Sequence, residues 1–210
     1  MTSESNSMNG LLAQHKSMGE YYTPYVDYLR EILGRVDPKS VEQVGTLFLE
    51  ARAAGRLIFF AGNGGSAATA SHFAQDLAEV GRKVGVPGFR SLSLSDAAAH
   101  ITAVGNDYSY ADIFSAQMRD LFTAGDVLVV ISCSGNSPNA VKAAQLANAK
   151  GGKTIGLLGF DGGELARICQ HVVLVKANKG EYGPVEDVHM IFDHIIITHL
   201  TSQLRRGNGQ

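Results

Sequence analysis

Two segments rich in glycine and serine follow apolar runs, and the second could hold a phosphate. Residues 132–137 read Ser-Cys-Ser-Gly-Asn-Ser and offer three hydroxyls, from Ser132, Ser134 and Ser137. Pro138 favours a helix start directly after them, so backbone N–H groups and the helix dipole would add to these hydroxyls. Such a concentration of donors suits a phosphate without any lysine. The alternative is a turn that only caps a helix.

The first segment, Gly-Asn-Gly-Gly-Ser at residues 62–66, follows the apolar run 57–61. Neither segment has the GxxxxGK[ST] spacing of a P-loop or the GxGxxG spacing of a dinucleotide-binding turn. The spacing therefore argues against nucleotide hydrolysis and NAD binding. In an open parallel sheet, ligands bind beyond the carboxyl ends of the strands, which is where both segments would lie.

A second group of residues could bind a metal ion or move protons. His72 and Asp76 are four residues apart on a predicted helix and so share one face. The last predicted helix, over residues 185–204, carries Glu186 and His194 among apolar residues. A histidine in such a helix is more often a core residue than a ligand. Glu186 and His194 are eight residues apart and only partly in line, so spacing alone leaves their convergence open.

Five short apolar runs predict the strands that would position these residues. The runs are residues 57–61, 91–95, 127–131, 154–158 and 171–175. Continuous apolar runs that alternate with helices favour a parallel sheet covered on both faces. Helices are predicted in the connections, over residues 67–80, 96–104, 110–122, 139–150 and 162–168. The predicted fold class is therefore α/β, a three-layer doubly wound domain with a five-stranded parallel sheet.

Two further helices are predicted before the first strand, over residues 21–35 and 37–54, the second with Asp37 as its cap. Their apolar side chains, such as Tyr25 and Ile32, exceed what one sheet needs to cover. We therefore expect residues 1–55 to pack both on the core and on neighbouring subunits. The alternative is that these helices lie only on their own sheet.

Composition predicts a single domain over the 210 residues, of which 45% are hydrophobic and 18% charged. A formal net charge of −2 does not favour nucleic acid or a membrane surface as a partner. The first residues, MTSESNSMNG, lack an export signal, and no apolar run is long enough to span a membrane, so a cytoplasmic protein is expected. Cys133 and Cys169 lack CxxC spacing, which argues against a disulfide framework.

The chain resembles the sugar isomerase (SIS) domain family, and within it the phosphoheptose isomerases. The resemblance covers nearly the whole chain and rests on FFAGNGGSAATASHFAQDL, ITAVGNDYSYADIF, GDVLVVISCSGNSPNAVKAA, TIGLLGFDGGELA and EDVHMIFDH. It implies a homotetramer with active sites between subunits. It also implies a ketose–aldose isomerase that interconverts sedoheptulose 7-phosphate and D-glycero-D-manno-heptose 7-phosphate through an enediol.

Matching positions in these motifs imply roles for single residues. Asp76 and His194 would be the catalytic acid and base. One zinc ion per subunit would be bound by His72, Asp76, Glu186 and His194. The residues implied in substrate binding are Asn63, Gly64, Ser66, Asp107, Ser132, Cys133, Ser134, Ser137 and Glu186.

The chain departs from the family pattern at three places. Asp76 stands where the family usually has a glutamate, and Glu186 stands where it usually has a glutamine. An aspartate that often precedes that glutamine is missing from residues 182–185. The acidic side chain is thus shorter at position 76, and a second acidic side chain is present at position 186. We interpret the second change as compensation for the first.

Two alternatives to the phosphoheptose isomerase remain. One is a non-enzymatic SIS protein that binds a phosphosugar or a replication-initiator partner, and the other is an isomerase of a different phosphosugar. The presence of both His72 and His194 favours an enzyme, because a scaffold does not need an inward-facing set of acids and histidines.

Overall fold

A five-stranded parallel sheet forms the centre of the computed structural model, which describes residues 7–208. Its strands are β1 (Leu57–Gly62), β2 (Arg90–Ser93), β3 (Val127–Ser132), β4 (Lys153–Gly159) and β5 (His171–Val175). They lie in the order β2-β1-β3-β4-β5. Residues 1–6 and 209–210 lie outside the described part. Residues 1–6 belong to the polar N-terminal segment for which no export signal was predicted.

Helices connect and flank these strands. Within residues 7–208 they are α1 (Met8–Gln14), α2 (Met18–Gly34), α3 (Pro38–Ala53), α4 (Gly65–Val84), α5 (Ala98–Asp107), α6 (Ser115–Leu121), α7 (Pro138–Ala149), α8 (Leu165–Ile168) and α9 (Tyr182–Gly207), with one 3₁₀ helix at Tyr110–Asp112. Across this same stretch of chain, no helix combines the length and apolar character that crossing a membrane requires.

Apolar side chains form a core on each face of the sheet. On one face α2, α3, α4 and α9 pack against alternate strand residues such as Phe60 and Val129. On the other face α5, α6, α7 and α8 pack against their neighbours, such as Phe59 and Leu128. All six residues of β3 are buried, as expected for a strand covered on both faces. The predicted three-layer α/β fold is confirmed.

The strand order creates a crevice at the carboxyl ends of β1 and β3. These strands are neighbours, yet the chain leaves β1 into α4 on one face and β3 into α7 on the other. Ligands bind at such a switch point in open parallel sheets. Both glycine- and serine-rich segments lie there.

The two predicted N-terminal helices are present as α2 and α3. Asp37 caps α3 by accepting a hydrogen bond from Lys39 N at 3.0 Å. Buried Glu181, just before α9, accepts a hydrogen bond from Met8 N at 2.8 Å and another from the Tyr28 hydroxyl. These contacts tie α1 and α2 to the start of α9. Packing on neighbouring subunits stays a prediction.

Local backbone chemistry explains a helix that is shorter than predicted. The helix expected over residues 162–168 begins only at Leu165. Gly162 and Gly163 have φ angles of 80° and 53°, a left-handed conformation that a right-handed helix cannot include.

Two serines start short helices that differ from the prediction. The helix expected over residues 110–122 is a 3₁₀ turn followed by α6. Ser109 starts that turn by accepting a hydrogen bond from Ala111 N at 3.1 Å. Helix α1 was not predicted, and Ser7 caps it through Gly10 N at 3.1 Å.

Candidate active site

A cavity of about 130 Å³ lies at the switch point, between the carboxyl ends of β1 and β3 and the start of α9. Most of the predicted substrate-binding residues line it. Its lining residues are Asn63, Ser66, Ile131, Ser132, Cys133, Ser134, Ser137, Tyr182 and Glu186. The fold therefore brings together residues that are more than 120 positions apart in the chain.

Three helix N-termini meet at this cavity, those of α4, α7 and α9. Their cap residues are Gly64, Ser137 and Glu181, and none of these makes a side-chain capping hydrogen bond within the described part of the chain. The first N–H groups of a helix have no partner inside the helix, and its dipole is positive at that end. The cavity therefore offers an anion hydrogen-bond donors and the positive ends of helix dipoles, beside the Glu186 carboxylate that also lines it.

The serine loop, residues 132–137, lines the cavity with Ser132, Ser134 and Ser137. Ser132 Oγ accepts a hydrogen bond from Gly135 N at 3.1 Å, and Ser134 Oγ accepts one from Asn136 N at 3.3 Å. A hydroxyl that accepts in this way still has its own hydrogen to donate. An anion with several acceptor oxygens is therefore a suitable ligand.

Gly135 fixes the shape of the serine loop. Its φ angle is 63°, and a Cβ added there would overlap the carbonyl oxygen of Gly162. Gly135 O also accepts a hydrogen bond from Leu165 N at 2.9 Å. The loop is thus held against the β4–α8 connection by a close backbone approach that only glycine allows.

Asn63 joins the two loops instead of standing free in the cavity. Its Nδ2 donates to Asn139 Oδ1 at 2.9 Å, while Asn139 Nδ2 donates to Asn63 Oδ1 at 2.9 Å. The Tyr110 hydroxyl donates to the same Asn63 oxygen at 3.1 Å. Sequence reasoning missed Asn139 and Tyr110. Their contacts join segments that are far apart in the sequence, so no local pattern marked either residue.

Helices α4 and α9 pack together with a shared register. Gly65 of α4 faces Glu186 of α9, because an added Cβ at Gly65 would overlap the Glu186 carboxylate. Seven residues further along each helix, His72 faces Asp193, with Nε2 and Oδ2 3.6 Å apart. Two layers of paired residues therefore run along this helix pair.

The second layer is a compact group of four possible metal ligands, His72, Asp76, Asp193 and His194, which we call the His/Asp group. One ligand atom from each lies within 4.8 Å of the others. The Nε2 atoms of His72 and His194 are 3.2 Å apart, and His72 Nε2 is 3.4 Å from Asp76 Oδ2. Two imidazole nitrogens and two carboxylate oxygens are a donor set that suits Zn²⁺.

Asp193 received no role from the sequence, although it stands beside His194. Its side chain is 0% exposed, and neither oxygen has a hydrogen-bond partner among residues 7–208. Burial, with the charge of Asp76 nearby, raises the pKa of Asp193 to about 7. A buried carboxylate without a partner fits a cation that it would face.

Glu186 lies outside the His/Asp group, although the resemblance implies it as a ligand. Its carboxylate lines the cavity at Gly65, and burial, helped by the charge of Asp187, raises its pKa. The structure therefore assembles three of the four implied ligands, with Asp193 beside them. Glu186 as a metal ligand stays a prediction.

The remaining candidates have simpler environments. Burial, followed by the charge of Glu186, raises the pKa of Cys133 to about 12, so this residue is a thiol and not a nucleophilic thiolate. His189, a further histidine of α9, is fully buried, and burial lowers its pKa to about 4, as fits a neutral core histidine. Asp107 is exposed at the end of α5, accepts a hydrogen bond from Asn106 at 2.8 Å and does not line this cavity.

A family model described as "SIS domain" matches residues 21–159. Among curated proteins, the chain is similar to the phosphoheptose isomerase of Aliarcobacter butzleri, with 37% identity over 168 residues, which is 78% of this chain and 85% of that protein. It is 40% identical over 157 residues to the phosphoheptose isomerase of Aneurinibacillus thermoaerophilus, which covers 74% of this chain and 77% of that protein.

Solved structures show the same similarity. The phosphoheptose isomerase of Neisseria gonorrhoeae superposes with a TM-score of 0.77 at 29% identity, over 88% of this chain and 96% of that one. The phosphoheptose isomerase of Francisella tularensis has a TM-score of 0.77 at 24% identity and supports the fold alone, over 97% of this chain and 100% of that one.

Proposed function

We infer that this chain, which belongs to the SIS domain family and is a sugar phosphate isomerase, interconverts sedoheptulose 7-phosphate and D-glycero-D-manno-heptose 7-phosphate. The family match confirms the resemblance stated from the motifs. The substrate pair, the metal and the residue roles are our proposal. Conversion of sedoheptulose 7-phosphate by the purified protein tests it.

The observation that carries the proposal is the pairing of an anion-binding cavity with the His/Asp group on the same two helices. The cavity combines three helix N-termini with the serine loop, which suits a phosphate. The His/Asp group combines acids and histidines, which suits proton transfer. The α4–α9 pair thus carries the phosphate-binding cavity at one end of a shared face and the group for proton transfer at the other end.

The separation of these two ends supports a long-chain sugar phosphate. Gly65 and His72 are seven residues apart, which is about 10 Å along the axis of α4. With bonds of about 1.5 Å, an extended heptose 7-phosphate spans roughly 10 Å from phosphorus to C1. A phosphate bound in the cavity beside Gly65 would therefore place C1 and C2 near the His/Asp group.

Aldose–ketose exchange moves one proton between C1 and C2 and shifts the carbonyl from one carbon to the other. In the forward direction a base takes a proton from C1 of the ketose and O2 gains a proton, which gives the enediol. O1 then loses its proton as an acid delivers a proton to C2. We assign these transfers to Asp76 and His194, which face each other across His72 and reach solvent in part.

We also propose that a zinc ion binds within the His/Asp group, to His72, Asp76 and His194. When bound, Zn²⁺ polarises a carbonyl oxygen and stabilises negative charge on it as a Lewis acid. The side chains of the cavity bind and orient the phosphate end in either case.

We propose a homotetramer in which neighbouring subunits complete the sites. Tyr22, Val26 and Ile195 are large apolar side chains that lie exposed on α2 and α9. Asp107 would bind sugar hydroxyls from a neighbouring chain, because on its own chain it is exposed and away from the cavity lining. Equilibrium sedimentation of the purified protein measures the oligomeric state directly.

The serine loop gives a prediction for binding. Replacing both Ser134 and Ser137 by alanine should weaken binding of sedoheptulose 7-phosphate about 10²-fold, since each hydrogen bond to a charged group contributes about 1.5 kcal/mol. Calorimetry on the metal-free protein measures this, with Ser40→Ala, on the exposed start of α3, as the matched control. Unchanged affinity in the double variant would place the phosphate elsewhere.

A further inference from the structure

The buried position of Asp193 calls for a cation. Asp193 Oδ2 lies 3.6 Å from His72 Nε2, which is also 3.2 Å from His194 Nε2 and 3.4 Å from Asp76 Oδ2. One imidazole nitrogen carries at most one hydrogen and cannot satisfy three neighbours. A divalent cation among the four atoms would face all of them. It would also offset the cost of a buried carboxylate, which is several kcal/mol when unpaired.

The register of α9 explains why Glu186 lies away from the His/Asp group. Glu186 and Asp193 are seven residues apart and share one face of α9, with about 10 Å between them along the axis. Side chains on a helix tilt toward its N-terminus, so Glu186 leans further from Asp193. Its carboxylate instead packs at Gly65 and lines the cavity. The carboxylate that α9 offers to His72 is therefore that of Asp193.

We propose that Asp193 is a permanent ligand of the divalent metal ion, together with His72, and that Glu186 serves the substrate cavity. The inference rests on the proposed function for the presence of the ion and replaces the ligand that the resemblance implies at Glu186. The Asp76 side chain is 20% exposed, so it can turn from the ion toward the sugar, whereas that of Asp193 is 0% exposed and cannot.

This ligand set also balances charge. A divalent ion bound by two carboxylates and two neutral imidazoles forms a site with no net charge. Both ligand types suit Zn²⁺ and Co²⁺. The short Asp76, where the family usually has a longer acid, is then accompanied by a second carboxylate from the facing helix.

The test is a titration of the full chain, stripped of metal, with Co²⁺ followed by visible absorption and with Zn²⁺ as competitor. The Asp193→Asn variant should bind Co²⁺ roughly 100-fold more weakly or worse, because loss of even an outer-shell partner costs about 10–100-fold. Glu186→Ala is the matched control on the same face of α9, because alanine has no ligand atom, and its Co²⁺ affinity should stay close to that of the unmodified chain.

Thermal unfolding separates a ligand from a structural residue. Asparagine removes the buried charge, so metal-free Asp193→Asn should melt no lower than the unmodified chain, yet lose most of the rise in Tm that Co²⁺ produces. Unchanged Co²⁺ affinity in Asp193→Asn, or its loss in Glu186→Ala, would overturn the assignment while leaving the isomerase intact. An unmodified chain that binds no divalent ion would overturn the metal part of the proposed function as well.

Discussion

The Asp76→Asn variant should convert sedoheptulose 7-phosphate with a kcat about 10²–10⁴-fold below that of the unmodified chain, the range expected for loss of a general acid or base. Asparagine keeps the shape of the side chain and removes its ability to accept a proton. Asp76 is the partly exposed acid of the His/Asp group, so its carboxylate can face a bound sugar. Initial rates of aldose formation, followed by NMR at several substrate concentrations, separate kcat from KM.

The matched control lies on the same helix. Glu79 is an acid of α4 that pairs with Arg82 at 3.4 Å and is not part of the His/Asp group. Glu79→Gln should therefore keep both kcat and KM. An Asp76→Asn enzyme that keeps its kcat would remove Asp76 from the proton transfer and would leave His194 as the remaining candidate.

The second large effect is expected from Gly135→Ala. The alanine would have to adopt a φ of 63° and place its Cβ onto the carbonyl of Gly162, so the serine loop must move away from the β4–α8 connection. Positive φ alone costs about 1–2 kcal/mol for an L-residue, and the overlap adds to it. We expect the free energy of unfolding to fall by about 2–4 kcal/mol, with loss of phosphosugar binding.

Urea denaturation and calorimetry measure these two effects on the same protein preparation. Gly19→Ala is the control, because nothing lies within 4 Å of an added Cβ at this position of α2. Alanine in a helix should be neutral there or stabilise the chain by up to about 1 kcal/mol. If Gly135→Ala proved as stable as Gly19→Ala and still bound phosphosugar, the loop would be adaptable and not fixed by Gly135.

The sheet and the serine loop could be predicted because their signals are local. Continuous apolar runs such as 127–131 are typical of buried parallel strands, and the structure has all five predicted strands. All strands of a parallel sheet end at the same edge. Two loops that each follow a strand must therefore lie at that edge, so the proximity of the two glycine- and serine-rich segments could be predicted. The bounds of short helices were more difficult to predict. Gly162 and Gly163 adopt left-handed conformations, so α8 begins later than predicted although its apolar pattern is unchanged.

Asp193 and Asn139 could not be assigned from the sequence, because their roles depend on pairing between distant segments. The register of α4 against α9 decides whether Glu186 or Asp193 faces His72, and a single helix pattern does not contain that register. The only sign of this register in the sequence was an equal spacing on the two helices. Seven residues separate Gly65 from His72 on α4, and seven separate Glu186 from Asp193 on α9. The motif resemblance led to Glu186 instead.

Incubation of the purified, zinc-loaded chain with sedoheptulose 7-phosphate in D₂O, followed by NMR, tests the proposed isomerisation most directly. The account predicts signals of the heptose 7-phosphate aldose, with deuterium at C2 where solvent exchanges with the acid that protonates the enediol. The Asp76→Asn chain should give almost none. Absence of the aldose with and without zinc, from a folded chain that still binds the ketose phosphate, would contradict the account and favour a protein that only binds phosphosugars.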